Sequence, residues 1–571
     1  VQVLLSSNVT VNNDLMQTSG YLVVNHWTLT VNRDVIINGG RLIMSYSDDR
    51  VKVGRDWINN AGTAGFVEGL GTVTFFGPLL VNLPAESFTN LEVDKPSSQH
   101  QVLRIQEGVS VNIGGNLTLI SGCLKLMGNS ILDVNGNLTI QPGGGLWLST
   151  SMGIEPPLLR LAGHLTDLNP AQSIETGLGT IGDCHVLFDG AGDQNLQVNY
   201  GSLQFSMLTL QKSGGSVNTS CNILVIGNFN MISGSWTATS TGLGMNLYGS
   251  FYMETGASLN MPGGILTMTS WQSRQIKVLG TINIGTFNLD NDTAGTALTL
   301  SGNCSMAMVP TINLTSGILD LGAYTLQSGA ALVIGTESKL VLGPNSRLEM
   351  AAGSTLSIQS GGEFFALGTA SQMATVTCPD GYFAFTPGNF SYFAAQYCVF
   401  EKLNANGINM GLRVFVDPVY SFNYCVFQNS AAGGTLIRKT SIQEFTVTGA
   451  IFPTNTWGGA YNVYHSLSGG SITFIEASGG FSGANWENDP FGSIHWVSSG
   501  TIDPPQNLQI SIVAGQTQLS WNPSAGATTY RVYRSSDPYL TGWGTPIHST
   551  SSTSWTDPAS SGKFFYRVTA E

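Results

Sequence analysis

At 571 residues the chain exceeds what one compact core accommodates, so several domains or an elongated repeat is expected. Charged residues make up only 10%, Gly contributes 70 residues and apolar types 42%, which disfavours a helix-rich α/β enzyme and favours short strands joined by many turns. The net charge of −13 comes without a Lys/Arg cluster, which argues against nucleic acid as a partner, and no apolar run is long enough to insert into a membrane as a helix.

The chain opens in strand-like sequence: Val1-Gln2-Val3-Leu4-Leu5, then Leu22-Val23-Val24, Trp27-Thr28-Leu29-Thr30-Val31 and Val35-Ile36-Ile37. Such an opening is expected of a chain whose leader has been removed. No amphipathic capping helix accompanies these strands, which invites either a preceding domain or another copy of the chain, with Val1, Val3 and Leu5 as the candidate edge for self-assembly.

Further on, a strand, a Gly with a small polar residue, and another strand recur. Examples are Val111-Asn112-Ile113-Gly114-Gly115-Asn116-Leu117-Thr118-Leu119, Val134-Asn135-Gly136-Asn137-Leu138-Thr139-Ile140 and Leu224-Val225-Ile226-Gly227-Asn228-Phe229. Gly115 to Gly136 spans 21 residues, Gly227 to Gly249 spans 22 and Gly280 to Gly302 spans 22, whereas Gly249 to Gly280 spans 31 and reads as a turn with an insertion. Glycine permits the corner, and in Leu117-Thr118-Leu119 the leucines face in while Thr faces out. This period is one coil of a β-solenoid; a propeller blade is about 40 residues or more.

Larger blocks overlay the coils. Val73-Thr74-Phe75-Phe76-Gly77 leads to Phe88-Thr89-Asn90-Leu91-Glu92-Val93, and Val186-Leu187-Phe188-Asp189-Gly190 leads to Phe205-Ser206-Met207-Leu208-Thr209-Leu210; a weaker copy ends at Phe287-Asn288-Leu289. From about residue 360 aromatics increase, and Tyr397-Cys398-Val399-Phe400 recurs as Tyr424-Cys425-Val426-Phe427. Stacked, buried thiols are favoured over a Cys398–Cys425 disulfide, because side chains stacked in parallel point the same way. Trp457, Tyr461, Trp486 and Trp496 concentrate in the last coils, either as a flat platform for sugar rings or as packing of the final turns.

Asp503-Pro504-Pro505 breaks the pattern. Beyond it, Thr517-Gln518-Leu519-Ser520-Trp521, Thr529-Tyr530-Arg531-Val532-Tyr533-Arg534 and Phe564-Phe565-Tyr566-Arg567-Val568-Thr569 alternate as sandwich strands do. With Trp521 as core tryptophan and Tyr566 as corner tyrosine, this segment resembles a fibronectin type III domain. The chain as a whole resembles a group of large bacterial secreted, cell-surface β-helix proteins of the type IX-secreted kind. Their Gly-Asn-Leu-Thr coils, Val-Thr-Phe-x-Gly blocks and a Gly-x-Trp-x-Asn-x-Gly-Thr coil are matched here, the last by Gly54-Arg55-Asp56-Trp57-Ile58-Asn59-Asn60-Ala61-Gly62-Thr63. The resemblance implies export and surface display, not catalysis.

A polysaccharide lyase or hydrolase would need carboxylates stacked on neighbouring coils. The acidic candidates are Asp48/Asp49, Asp183/Asp189/Asp193, Asp290/Asp292 and Glu487/Asp489, and none recurs one coil later. Gly163-His164-Leu165 is only faintly similar to a polygalacturonase motif. The expectation is therefore an all-β chain: a long, right-handed parallel β-helix over residues 1–500 (Gly/Asn-rich coils in 1–360, aromatic-rich coils in 361–500), followed by a small fibronectin type III-like sandwich over 501–571. It is expected to be an extracellular or cell-surface structural protein without catalytic residues, metal or cofactor. Its first expected partner is itself, head to tail in a fibre or sheath; a monomeric adhesin that binds cell-surface glycans is the alternative, and a polysaccharide-degrading enzyme the second.

Overall fold

The computed structural model describes residues 1–96, 102–149, 155–169, 174–175, 185–199, 202–269, 271–291, 295–453, 461–497, 504–524, 527–540, 543–558 and 562–571. From Gln2–Leu4 to Ile494–Val497 every strand ladder is parallel, and the strands wind into a solenoid of about 21 turns. Among the described residues the only helical segments are single 3-10 turns at Gly62–Ala64 and Ala484–Trp486, and no helix is long and apolar enough to cross a membrane.

Each turn contributes short strands to ladders that run the length of the stack. In the C-terminal half one ladder runs through Ala331–Ile334, Thr355–Ile358, Phe383–Pro387, Leu403–Met410, Ile437–Lys439 and Val463–His465. A second runs through Ser338–Leu342, Glu363–Leu367, Tyr392–Gln396 and Phe415–Asn423. A third runs through Thr325–Ser328, Arg347–Met350, Ala374–Thr377, Cys398–Glu401 and Val426–Gln428. Because strand side chains alternate, each strand sends one set of residues inward. Those sets merge into one apolar core from Leu5 to Ile494. Inside it, equal side chains lie one above another: Phe229 on Phe251 with ring centroids 5.4 Å apart, Phe364 on Phe393 at 5.3 Å, and Phe400 on Phe427 at 5.5 Å.

The Gly-Asn-Leu-Thr coils show why that motif repeats. Leu117, Thr118 and Leu119 pair with Leu138, Thr139 and Ile140, with the aliphatic residues buried and the threonines outside. At the preceding corner Asn116 N–H donates to Asn90 Oδ1 (3.0 Å), Asn137 N–H to Asn116 Oδ1 (2.9 Å), and His164 N–H to Asn137 Oδ1 (2.9 Å). Each asparagine thus satisfies a backbone donor of the turn stacked on it, where the chain bends and the sheet ladder is interrupted. The glycine before it is required by close approach, since a Cβ on Gly136 would lie 2.4 Å from the Gly115 carbonyl oxygen.

The spacing of 31 between Gly249 and Gly280 has another origin than an insertion. Phe251 pairs with Ile276, 25 residues on, so that turn is only slightly long. Gly280 precedes the strand Thr281–Asp290, whose Ser258–Thr281 pairing sets it on a different corner, over Ala257. A turn has several corners, all of which accept glycine, and counting glycines confuses one with another.

Two larger blocks match in detail. Phe75 meets Phe88 edge-on at 6.5 Å and 87°, and Phe188 meets Phe205 at 6.2 Å and 87°. Ser121 donates to the Lys95 carbonyl, Ser233 to the Lys212 carbonyl and, in the third copy, Ser316 to the Asn291 carbonyl. Cys398 and Cys425 are buried free thiols on adjacent turns, where Val399 pairs with Val426. Burial pushes the Cys425 thiol up to about 12 and that of Cys398 well above its ordinary value. Neither is therefore expected to react with iodoacetamide at mildly alkaline pH until denaturant is added, as mass spectrometry of labelled peptides would show.

Residues 504–571 are built differently. Gln509–Val513, Gln516–Ser520 and Ser554–Thr556 form one antiparallel sheet, and His548–Thr550, Tyr530–Ser535 and Phe565–Ala570 another. Leu519, Trp521, Tyr530, Val532 and Val568 make a small core of their own.

Candidate functional site

The aromatic residues of the last turns are held by different neighbours. Trp496, on Ile494–Val497, stacks flat on Phe474 at 4.3 Å and 12°, and its indole Nε1 donates to Glu487 Oε2 at 2.5 Å. Trp486, in the 3-10 turn, meets Phe481 edge-on at 4.5 Å. Tyr461 is 39% exposed, and Trp457 lies outside the described residues. Burial raises the Glu487 carboxyl above its ordinary value, and the bond from Trp496 opposes that rise.

At the other end, strands Gln2–Leu4, Val9–Val11 and Leu15–Gln17 are paired with the second turn on one side. Val1 is fully exposed and Val3 half exposed, whereas Leu5 is buried. Val3 heads an inward column, Val3–Leu22–Leu42–Phe66, in which Leu42 and Phe66 are buried.

The acidic candidates do structural work. Asp49 is buried and accepts the backbone N–H groups of His26, Ser45 and Tyr46. Asp189 is bound by Arg160 at 2.7 Å, and Asp193 accepts the N–H and hydroxyl of Ser216, which hold its carboxyl below the usual range. Asp290 accepts from Ser316, and Asp489 from the Ile494 N–H. Asp183 and Asp292 lie outside the described residues. His164 continues the asparagine column, its Nδ1 accepting the Asn195 N–H at 2.9 Å.

Two lysines were not singled out in the sequence. Lys95 and Lys212 are buried, at matching places in the two large blocks. Lys95 Nζ donates to the carbonyls of Gly77 (2.8 Å) and Leu79 (2.9 Å). Lys212 Nζ donates to the carbonyls of Gly190 (2.6 Å) and Gly192 (2.8 Å) and to Gln194 Oε1 (2.6 Å). Each ammonium closes the loop that follows a Val-x-Phe-x-Gly strand. The signal was present: a lysine ends both Leu91-Glu92-Val93-Asp94-Lys95 and Leu208-Thr209-Leu210-Gln211-Lys212, while Asn291 takes that place in the third copy.

Burial lowers Lys95 to about 8 from its ordinary 10.5. Between those values the unfolded chain holds the proton and the folded chain does not, so stability rises with pH across that window and is unaffected by this group below it. The denaturation midpoint of the N-terminal turns should rise relative to a Lys95→Met variant as pH is taken from about 8 to about 10. Parallel pH profiles for the two proteins would contradict this.

Comparison with protein-family models, curated proteins and solved structures finds no match to this chain.

Proposed function

We propose that this chain is an extracellular structural protein, a right-handed solenoid rod displayed at a cell surface, whose copies join end to end into a fibre or sheath. The observation that carries the reading is the unbroken parallel stacking of turns from Gln2–Leu4 to Ile494–Val497, which a turn of another copy can continue. Val3, Val9 and Leu15 stand in columns that continue as Leu22, Leu29 and Val35, so a turn stacked on them would extend the core. Backbone donors and acceptors beside exposed core side chains are what strand addition uses. At the opposite end Phe491 and Val497 are exposed around the Phe474–Trp496 stack, giving an apolar surface for a neighbour. Contact between unlike ends is heterologous, and it propagates unless its rotation closes a ring.

The antiparallel sheets of residues 504–571 fit a fibronectin type III-like module carried by the rod. Trp521 is buried in its core against Tyr530 at 5.5 Å, and the Tyr566 hydroxyl donates to Asp557, which Arg534 also binds. No catalytic step, metal or cofactor enters this reading.

The test is a Val3→Lys/Val9→Lys double variant. Lysine tolerates these sites while they face water, because the ammonium can reach solvent, but not beneath a second copy. The parent protein should form filaments in electron micrographs, and the variant should stay monomeric with an unchanged circular dichroism spectrum. A parent that stays monomeric at high concentration, or filaments that persist in the variant, would overturn the proposal.

A further inference from the structure

A shallow groove of about 690 Å³ crosses the outside of the ladder that includes Thr355–Ile358, Phe383–Pro387 and Leu403–Met410. Ser357, Thr386 and Asn409 lie along it from turn to turn, and Gln359, Asn389 and Thr440 line the adjoining corner. No charged side chain lines it. Elsewhere on the solenoid some outward side chains hydrogen-bond one another: the Asn135 carboxamide N–H donates to Asn112 Oδ1 (3.2 Å) and that of Asn283 to Asn260 Oδ1 (2.8 Å). Here the side chains of Ser357, Gln359 and Asn409 make no hydrogen bond among the described residues, so a row of neutral donors and acceptors is left facing solvent.

Beside Asn389 stands a second unusual feature. Phe390 adopts φ 60°, a left-handed conformation that is costly for a bulky side chain, and its ring is 59% exposed. The backbone holds it there: its N–H donates to the Arg413 carbonyl (2.9 Å), and its carbonyl accepts from Gly361 (3.0 Å). Arg413 lies over the ring at 5.2 Å. An apolar ring is thus kept in water at the corner that the neutral groove adjoins, without contributing to the core.

We propose that this groove binds a neutral glycan, extended along the solenoid axis, with Phe390 stacking on a sugar ring at the lip. Turns about 4.8 Å apart offer polar groups at roughly the advance of one pyranose along an extended chain. Hydroxyls and carboxamides match sugar hydroxyls, and the lining of the groove itself is uncharged, with Arg413 over Phe390 the cation at its lip. An aromatic face suits the C–H side of a pyranose. The groove is remote from the first turn, and Val3 and Val9 do not line it, so this inference can be tested apart from end-to-end assembly.

The experiment is calorimetric titration of the full chain with cellohexaose, laminarihexaose and mannohexaose, with an oligogalacturonate as the acidic comparison. One neutral hexasaccharide should bind in the sub-millimolar range. Asn409→Ala and Phe390→Gly should each weaken it by about tenfold, glycine being chosen because it keeps the left-handed backbone. Val3→Lys/Val9→Lys should bind as the parent does, which separates a failure of this site from a failure of assembly. No binding by any neutral hexasaccharide, tighter binding of the acidic one, or affinity indifferent to both groove variants would overturn the proposal.

Discussion

Replacing Trp236 by alanine is expected to open the middle of the solenoid, at a cost of about 3–5 kcal/mol. Trp236 is fully buried, and it packs edge-on against Phe188 at 6.2 Å and Phe229 at 5.8 Å, so it ties together aromatic residues from several turns. Its backbone pairs with Val217 on one side and Leu259 on the other. In a stack where each turn touches only its neighbours, the damage should stay local. Hydrogen-exchange mass spectrometry should show lost protection around Met207–Thr219, Phe229–Ala238 and Ala257–Met268, and unchanged protection in residues 504–571. Trp236→Phe should cost much less, because the indole Nε1 that it removes has no partner among the described residues. Equal protection in the alanine variant and the parent would contradict this view of the core.

The second large effect is expected from Lys212→Met. Methionine fills a similar volume without the charge, which removes the penalty of burying an ammonium. It also leaves the Gly190 and Gly192 carbonyls and Gln194 Oε1 without the donor they share. Gly192 is exposed, but the Gly190 carbonyl and Gln194 Oε1 are buried, and each costs about 1–3 kcal/mol when abandoned, so the loss of donors outweighs the relief of charge and the net cost is about 2–3 kcal/mol. Lys95→Met, which strands two carbonyls, should cost less. Limited proteolysis should cut the Lys212 variant first in the loop after His185–Phe188, the loop that the lysine closes. A variant as resistant as the parent would show that the loop is held by other contacts.

The coils were legible because the residues at their corners are constrained twice. Gly136 is required by the approach of the Gly115 carbonyl, and Asn116 and Asn137 by the N–H groups of the following turn, so both leave a regular trace in the sequence. Alternation in Leu138-Thr139-Ile140 then gives the inward face. Where several corners share one residue type the trace is ambiguous, and Gly280 was aligned with Gly249 although they occupy different corners. Short strands such as His548–Thr550 and Ser554–Thr556 are too short to show an alternation, the second presenting only Trp555 to the core of its module.

Functional features were less legible, for a related reason. Lys95 and Lys212 look like surface residues until the fold wraps a loop over them, since a lone lysine after a strand is usually solvated. Leu5 belongs to the same opening strand-like run as Val3, yet it is buried while Val3 is half exposed, a difference that the run of apolar residues does not reveal. The groove over Ser357, Thr386 and Asn409 is assembled from turns 23 to 29 residues apart, and no local pattern announces it.

The proposed assembly stacks the first turn of one copy on the last turn of the next. Cryo-electron microscopy of the assembled 571-residue protein tests it directly. The expected result is filaments in which a layer spacing of about 4.8 Å runs through each joint, with the first turn of one copy stacked on the last turn of the next. Rods associated side by side, or joints made by the C-terminal module with the first-turn edges left in solvent, would contradict it.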